Sequence, residues 1–354
     1  MDVNRIAKIG WIQRWSGSYT YISCSFWGPQ YFYSQQRILG VNFKHTLFVH
    51  KKGTVDFYVA TDELHHLGQT LAKKAVRSTA EIKKYIKLIK QNTDILDKAM
   101  GKLSVRIPTW QEFQSFAKPF DNHIAYHAFI KETVDYLPPK KLKTLLPYFE
   151  DGRKYSEHIY SASESFFRKL ATLIGKKEKV GQAALTCLTQ SELEKYFKTG
   201  QLPNYRDLKA RYVGSVLYFN SGKLITKNSA KTVKDLEMAI VRENLKNSKI
   251  LKGIAAYPGK ITGIAKVISD PHQHENFKSG DILVTGMTRP EFLPLVHRAS
   301  AIVTDSGGIL SHAAITAREF KIPCIVGTQI ATKIIKNGQR IQLDAHSGII
   351  KINK

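Results

Sequence analysis

Cysteine is scarce in this chain: Cys24, Cys187 and Cys324 are the three in 354 residues. They are scattered, and no CxxC pair occurs, a usage that suits a reducing cytosol. Long apolar runs are missing as well. No stretch of eighteen apolar residues offers a membrane-spanning helix. The opening Met-Asp-Val-Asn-Arg-Ile-Ala-Lys lacks the apolar core of a signal peptide, so a cytoplasmic protein away from membranes is expected. Acidic residues are in deficit, with 29 Asp+Glu against 54 Lys+Arg and a net charge of +25. From Ile250 onward the count is 13 basic against 7 acidic, leaving 41 against 22 upstream, so the excess lies mainly before that point. Such charge attracts nucleic acid, anionic substrates or an acidic partner. The lysines are nevertheless spread as singles and pairs (Lys73-Lys74, Lys83-Lys84, Lys140-Lys141, Lys176-Lys177), as on a solubilising surface, and nucleic acid is not the expected partner.

What is present is ample for packed cores: 43% hydrophobic and 10% aromatic residues in a length that suits about two domains. Residues 1–60 read as strand-rich, with Trp11 to Trp15, Tyr19 to Trp27, Thr46 to His50 and Val55 to Val59 as β-branched and aromatic runs. Lys51-Lys52-Gly53-Thr54 between the last two reads as a hairpin turn. Residues 61–247 read as all-helical. Thr61-Asp62-Glu63 starts a long amphipathic stretch to about Met100, and Pro108-Thr109-Trp110 opens a helix that Pro119 kinks or breaks. A third helix covers about Lys140 to Leu173, interrupted near Pro147. Leu188-Thr189-Gln190-Ser191-Glu192 is a capping-box start closed by Gly200. Helices over Asn204 to Tyr218 and Ala230 to Asn247 complete this region, and the polar Lys246 to Lys249 junction reads as flexible. Residues 250–354 alternate short strands with glycine turns and two short helices, Pro290–Arg298 and Ser311–Phe320, a compact α/β domain.

The chemistry concentrates in Thr304-Asp-Ser-Gly-Gly-Ile-Leu-Ser-His312-Ala-Ala-Ile-Thr-Ala-Arg318-Glu319. Two glycines lead into Ser311, then a histidine, then helix formers, which reads as a tight turn delivering His312 to the first turn of a helix. A helix N-terminus offers unpaired backbone N–H groups and a partial positive charge, so phosphate is at home there. That end also disfavours the imidazolium form and favours a nucleophilic ring. Gly307 and Gly308 let the backbone approach a phosphate as an anion-binding nest, or simply form the turn. Ser311 caps the helix and touches the phosphate in this reading. Arg318 reads equally as a phosphate contact or a surface ion pair. Thr288-Arg289-Pro290 is a second helix start, and Thr288 and Arg289 help hold the phosphate if that end faces His312.

The segment from Gly253 to Ile352 resembles the mobile phosphohistidine domain of the phosphoenolpyruvate-utilising enzymes, among them phosphoenolpyruvate synthase, pyruvate phosphate dikinase and the rifampicin phosphotransferases. The likeness runs through seven ordered blocks: Gly253 to Gly259, Gly263 to Val267, Gly280 to Val284, Thr288 to Glu291, the histidine motif, Ile322 to Thr328, and Asp344 to Gly348. The resemblance implies an α+β multidomain chain ending in an α/β swivelling domain over 250–354, with His312 carrying a phosphoryl group. Leu310 stands where the dikinases have a regulatory threonine, so that form of regulation is not expected. Leu188 to Pro203 with Arg211 is similar, more weakly, to the helical region before the carrier. In the rifampicin phosphotransferases that region belongs to the substrate-binding domain, so 61–247 is a candidate for that role.

Other features carry less. His123 and His127 share a helix face and could bind a metal with a third ligand, but no supporting carboxylate or cysteine is spaced nearby, so no metal is expected. Packing or a substrate pocket, with Arg211, is the preferred reading. His65-His66 and His272-Gln273-His274 read as surface histidines. Ala75 to Ala80 is similar to a short ATP-grasp motif but lacks a glycine loop, and Cys324 lies in an apolar run and reads as core. No ATP-grasp domain and no pyruvate-binding barrel is read within this length. The expectation is therefore half of a split phosphotransferase. A separate ATP-grasp chain brings ATP and Mg2+ and loads His312, and a small-molecule acceptor receives the phosphoryl group. A non-catalytic phosphohistidine module is the alternative, and a basic nucleic-acid binder with a vestigial carrier is the third.

Overall fold

The computed structural model describes residues 2–247, 251–269, 271 and 275–352. Packing divides the chain into two units, Met1–Ile9 with Gly17–Glu237, and Gly10–Ser16 with Met238–Lys354. The fold is mixed α+β.

The elements begin with α1 (Val3–Ala7), β1 (Trp11–Gly17), α2 (Tyr21–Gln30), α3 (Tyr33–Leu39), β2 (His45–Lys51) and β3 (Thr54–Ala60). Then come α4 (Thr61–Arg77), α5 (Thr79–Leu103), α6 (Trp110–Val134), α7 (Pro139–Ser156) and α8 (His158–Glu178). The first unit closes with α9 (Gln182–Leu185), α10 (Gln190–Thr199), α11 (Tyr205–Val213), β4 (Ser215–Asn220), β5 (Lys223–Asn228) and the start of α12 (Ala230–Asn247). Its strands pair antiparallel in the order β3-β2-β4-β5.

Two expectations for this unit are corrected. The opening 1–60 is not simply strand-rich, because the run read as a strand from Tyr19 to Trp27 is the helix α2. Every residue from Tyr21 to Gly28 is buried, so no polar face reveals a helical period. Thr20 caps it, its Oγ1 accepting from Ser23 N at 3.2 Å, while the buried Glu164 carboxylate accepts from Thr20 N at 2.8 Å. Tertiary burial here overrides the strand preference of Tyr, Ile, Phe and Trp. Nor is 61–247 all-helical. The stretch read as helix to Tyr218 ends at Val213; Gly214 is extended, and Ser215 to Asn220 enters the sheet against β2. The turn to β5 uses Ser221 (φ 49°) and Gly222 (φ 77°), as Lys52 (φ 46°) and Gly53 (φ 83°) turn β2 into β3.

The helix boundaries shift for local reasons. Ser78 breaks the long stretch and caps α5, its Oγ accepting from Glu81 N. Pro119 and Pro147 are carried inside α6 and α7. Thr109–Glu112 and Thr189–Glu192 form full capping boxes, and Gly200 (φ 71°) ends α10 as read. A Cβ placed on Gly28 would lie 2.1 Å from the Phe219 ring, so that ring packs directly against the backbone of α2. Gly28→Ala is therefore expected to cost about 1–3 kcal/mol by overpacking. Urea unfolding measures it, and an unchanged midpoint would refute the close approach.

In the second unit α12 continues through Lys246 and Asn247, so that half of the polar junction is helical; Ser248 and Lys249 lie outside the described residues, as do His272 and His274. There follow β6 (Leu251–Lys252), β7 (Ile254–Tyr257), β8 (Lys260–Val267), β9 (Ile282–Thr285), a 3-10 turn at Pro290–Phe292, α13 (Leu293–Val296) and β10 (Ala301–Thr304). The unit ends with α14 (His312–Phe320), β11 (Cys324–Val326), α15 (Ala331–Ile334), β12 (Arg340–Asp344) and β13 (Ile349–Ile352). The strands form one sheet in the order β6-β13-β12-β8-β9-β10-β11-β7, parallel from β8 to β11. Alternation sorts its two faces: Ile282, Val284, Ala301 and Val303 join Ile341 and Leu343 on one, while Leu283, Ile302 and Val326 meet α14 through Ala313, Ala314 and Ala317 on the other.

Candidate functional site

Three loops leave the carboxyl ends of the parallel strands β9, β10 and β11 and are laced together by backbone bonds. Asp305 N donates to Thr285 O at 3.1 Å, Ser306 N to Gly286 O at 2.9 Å, Thr328 N to Thr304 O at 3.0 Å and Gln329 N to Asp305 O at 2.9 Å. Ligands of open parallel sheets collect at this end, beyond the strand termini.

Within the β10 loop Gly307 takes φ 114°, and a Cβ there would lie 2.8 Å from that of Ser311. Only glycine allows the chain to fold back so tightly. Gly308 closes the turn, its carbonyl accepting from Ser311 N at 2.9 Å. Ser311 is then the N-cap of α14, its Oγ accepting from Ala314 N at 3.3 Å. His312 is the first helical residue and half-buried. Its Nδ1 lies 3.0 Å from the hydroxyl of buried Thr288, on the loop after β9. His312 thus stands on the helix N-terminus with one ring nitrogen engaged.

The other candidates divide. Thr288, Gly307, Gly308 and Ser311 all meet or build the turn that carries His312. Arg318 donates from Nη1 to Ile309 O at 2.8 Å, so it braces the loop from the far end of the helix. Arg289 is exposed and starts the Pro290–Phe292 turn, with Pro290 at its first position. Cys324 is wholly buried beneath α14, and burial pushes its thiol up.

Residue spacing did not reveal the support beneath the turn. Asp305 is buried, and its carboxylate accepts from Thr328 Oγ1 at 3.2 Å, Thr332 N at 3.1 Å and the Thr332 hydroxyl. It joins the β10 loop to the start of α15. Burial outweighs those bonds and raises its pKa from the ordinary carboxylate value. Ser306 Oγ is buried beside it without a hydrogen-bond partner. The only hint in the sequence is a polar Thr-Asp-Ser directly after an apolar strand.

In the first unit His123 and His127 come together on α6, with ring centroids 6.2 Å apart, both against the Tyr160 ring. Asn92 Nδ2 lies 3.4 Å from His123 Nδ1, and His127 Nε2 meets Arg153 Nη1. His123 Nε2 is buried and meets no partner. Arg211 belongs to a different cluster, bidentate to Glu192 at 2.6 and 2.8 Å and bonded to Cys187 O at 3.1 Å. Among the described residues no three His, Cys, Asp or Glu side chains are grouped to hold a metal ion. No helix among them is long and apolar enough to cross a membrane.

Residues 277–348, which hold every element of the His312 site, match the family model of the PEP-utilising enzyme mobile domain. The second unit carries that domain. The chain is 38% identical over 168 residues to a probable phosphoenolpyruvate synthase of Archaeoglobus fulgidus, covering 46% of this chain and 22% of that protein. It is 50% identical over 109 residues to a probable phosphoenolpyruvate synthase of Staphylothermus marinus, covering 30% and 13%. An uncharacterized phosphotransferase, YvkC of Bacillus subtilis, is 41% identical over 127 residues, covering 36% and 15%. The chain thus spans at most 22% of the length of these three relatives. The mobile domain is of the PEP-utilising type, and its relatives are phosphoenolpyruvate synthase-like phosphotransferases.

Proposed function

We propose that this chain is a phosphotransferase component in which His312 takes a phosphoryl group from a nucleotide-binding partner and passes it to a small-molecule acceptor. The observation that carries the reading is His312 at the first position of α14 with Nδ1 on the Thr288 hydroxyl. If Nδ1 holds the proton and Thr288 accepts it, the lone pair lies on Nε2. Nε2 then forms the bond to phosphorus as the bond to the donor oxygen breaks, and the donor leaves with that electron pair. Backbone N–H groups at the start of α14 and the helix dipole offset the charge on the transferred group. Transfer of this kind rests on positioning and electrostatics.

In this reading ATP and Mg2+ arrive on a separate ATP-grasp chain. The first unit holds the acceptor, with the His123–His127–Tyr160 cluster as the place to look. The test is incubation with ATP labelled at either the β- or the γ-phosphate and lysate of the source organism, followed by assay for label stable in base and lost in acid. Labelling of the wild type supports the carrier, and no label with any phosphoryl donor overturns it. Thr288→Val, which keeps the shape and removes the hydroxyl, is expected to slow labelling by up to about tenfold, the worth of one hydrogen bond. An unchanged rate would show that Thr288 does not orient the ring.

A further inference from the structure

Strand β5 is the last strand of the first unit's sheet, paired with β4 from Ser215↔Asn228 to Asn220↔Lys223, and no strand of the described residues lies beyond it. Its inner neighbour β4 is buried from Ser215 to Phe219, whereas every residue from Lys223 to Lys227 is exposed. Leu224 is 37% and Ile225 43% exposed, two large apolar side chains side by side on an open edge. Alternate N–H and C=O groups of an edge strand point away from the sheet and can pair with a further strand.

The charge pattern selects what that strand can be. Lys223, Ile225 and Lys227 share one face by alternation, and Leu224 and Thr226 the other. No acidic residue occurs between Gly214 and Lys234, and neither lysine has an ion-pair partner among the described residues. Edge lysines commonly guard against self-association, and Lys223 and Lys227 are placed to do so. A second copy laid antiparallel about Ile225 sets Lys223 against Lys227 and Lys227 against Lys223, and a parallel copy in register sets each lysine on itself. Like charges directly opposite repel. Protection alone, however, does not call for Leu224 and Ile225 to be bare between the two charges.

We propose that β5 is a docking edge for an extended acidic segment of a partner protein. That segment carries carboxylates four residues apart, facing Lys223 and Lys227, with β-branched residues between them facing Ile225 and Leu224. The mode is strand addition, with backbone bonds giving affinity and the two charge pairs giving register and selectivity. The inference stands apart from the His312 reading, since labelling of His312 involves none of these residues.

The probe is a capped Glu-Thr-Val-Ile-Glu peptide added to the full chain, read by amide exchange and by the shifts of β5 resonances. Slowed exchange confined to β5, weakened by added salt, is the expected result. Lys223→Glu with Lys227→Glu, two exposed changes that leave the unfolding midpoint in place, is expected to weaken the acidic peptide by roughly tenfold. The same variant is expected to gain affinity for Lys-Thr-Val-Ile-Lys. No protection of β5 at millimolar peptide overturns the proposal. So does equal binding of the acidic and basic peptides to the wild type, or undiminished binding of the acidic peptide to the double variant.

Discussion

His312→Ala is expected to abolish the acid-labile label completely, from stoichiometric incorporation to background, while the chain stays folded. The loss is total if the proposed function holds, because the substitution then removes the atom that forms the new bond; binding and orientation cannot replace a nucleophile. The structural cost is small. His312 is half-buried at the first position of α14, its Nδ1 meets the Thr288 hydroxyl, and the cap is made by Ser311 rather than by the imidazole. Losing one such bond costs about 1 kcal/mol. Unchanged thermal unfolding beside absent label therefore separates chemistry from misfolding. His312→Asn, which keeps a polar group facing Thr288, is expected to be equally unlabelled. Label that survives in His312→Ala would place the phosphoryl group elsewhere and end the carrier reading.

The largest expected effect on stability is acid sensitivity arising from the paired histidines of α6. His123 is 0% exposed, and burial pushes its imidazole down to about 3 from 6.5, with Arg153 and His158 adding to the effect. His127 is held well below its ordinary value, first by burial and then by Arg153, Lys131 and His123. A histidine kept neutral in the fold and free to protonate when unfolded adds stability above pH 6.5, and that stability drains away as the pH falls. For His123 alone the displacement corresponds to roughly 5 kcal/mol once fully developed near its folded value, with about half gone by pH 4.5. Glu164 has the opposite sign. It is buried, and desolvation outweighs its bonds to Ser23 and Thr20 and raises it to about 7, so its contribution is lost as the pH rises through that value. With both histidines set against Glu164, maximum stability is expected near about pH 7. Urea unfolding of the wild type and of His123→Leu between about pH 7 and about pH 4.5 checks this, the variant showing a shallower loss per pH unit. Equal slopes for the two proteins would show that His123 does not titrate on unfolding in this range.

Much of the site was legible because its determinants are local. Gly307, Ser311 and the alanines after His312 specify a turn, a cap and a helix within about a dozen residues, each through backbone geometry that the residue itself imposes. The same holds for Lys52-Gly53, Thr109–Glu112 and Thr189–Glu192. The grouping of His123 with His127 also followed from spacing on one helix, whereas Arg211 lies in a separate cluster. It was placed by similarity along the chain, and its fork is taken by Glu192.

By itself the sequence determined the Lys52-Gly53 turn, the starts of α4, α6, α10 and α14, and that one imidazole stands on a helix N-terminus. Those outcomes need only hydrogen bonds and torsions among residues a few positions apart. The tertiary structure decided that Tyr21 to Gln30 is a helix, because complete burial erases periodicity. It decided too that Ser215 to Asn220 joins β2 across the first unit, because strand pairing is a relation between distant segments. Thr288 reaches His312, and Asp305 ties Thr328 and Thr332 beneath the turn, for a related reason: the parallel strands bring their carboxyl ends to one edge of the sheet. No spacing along the chain encodes that meeting.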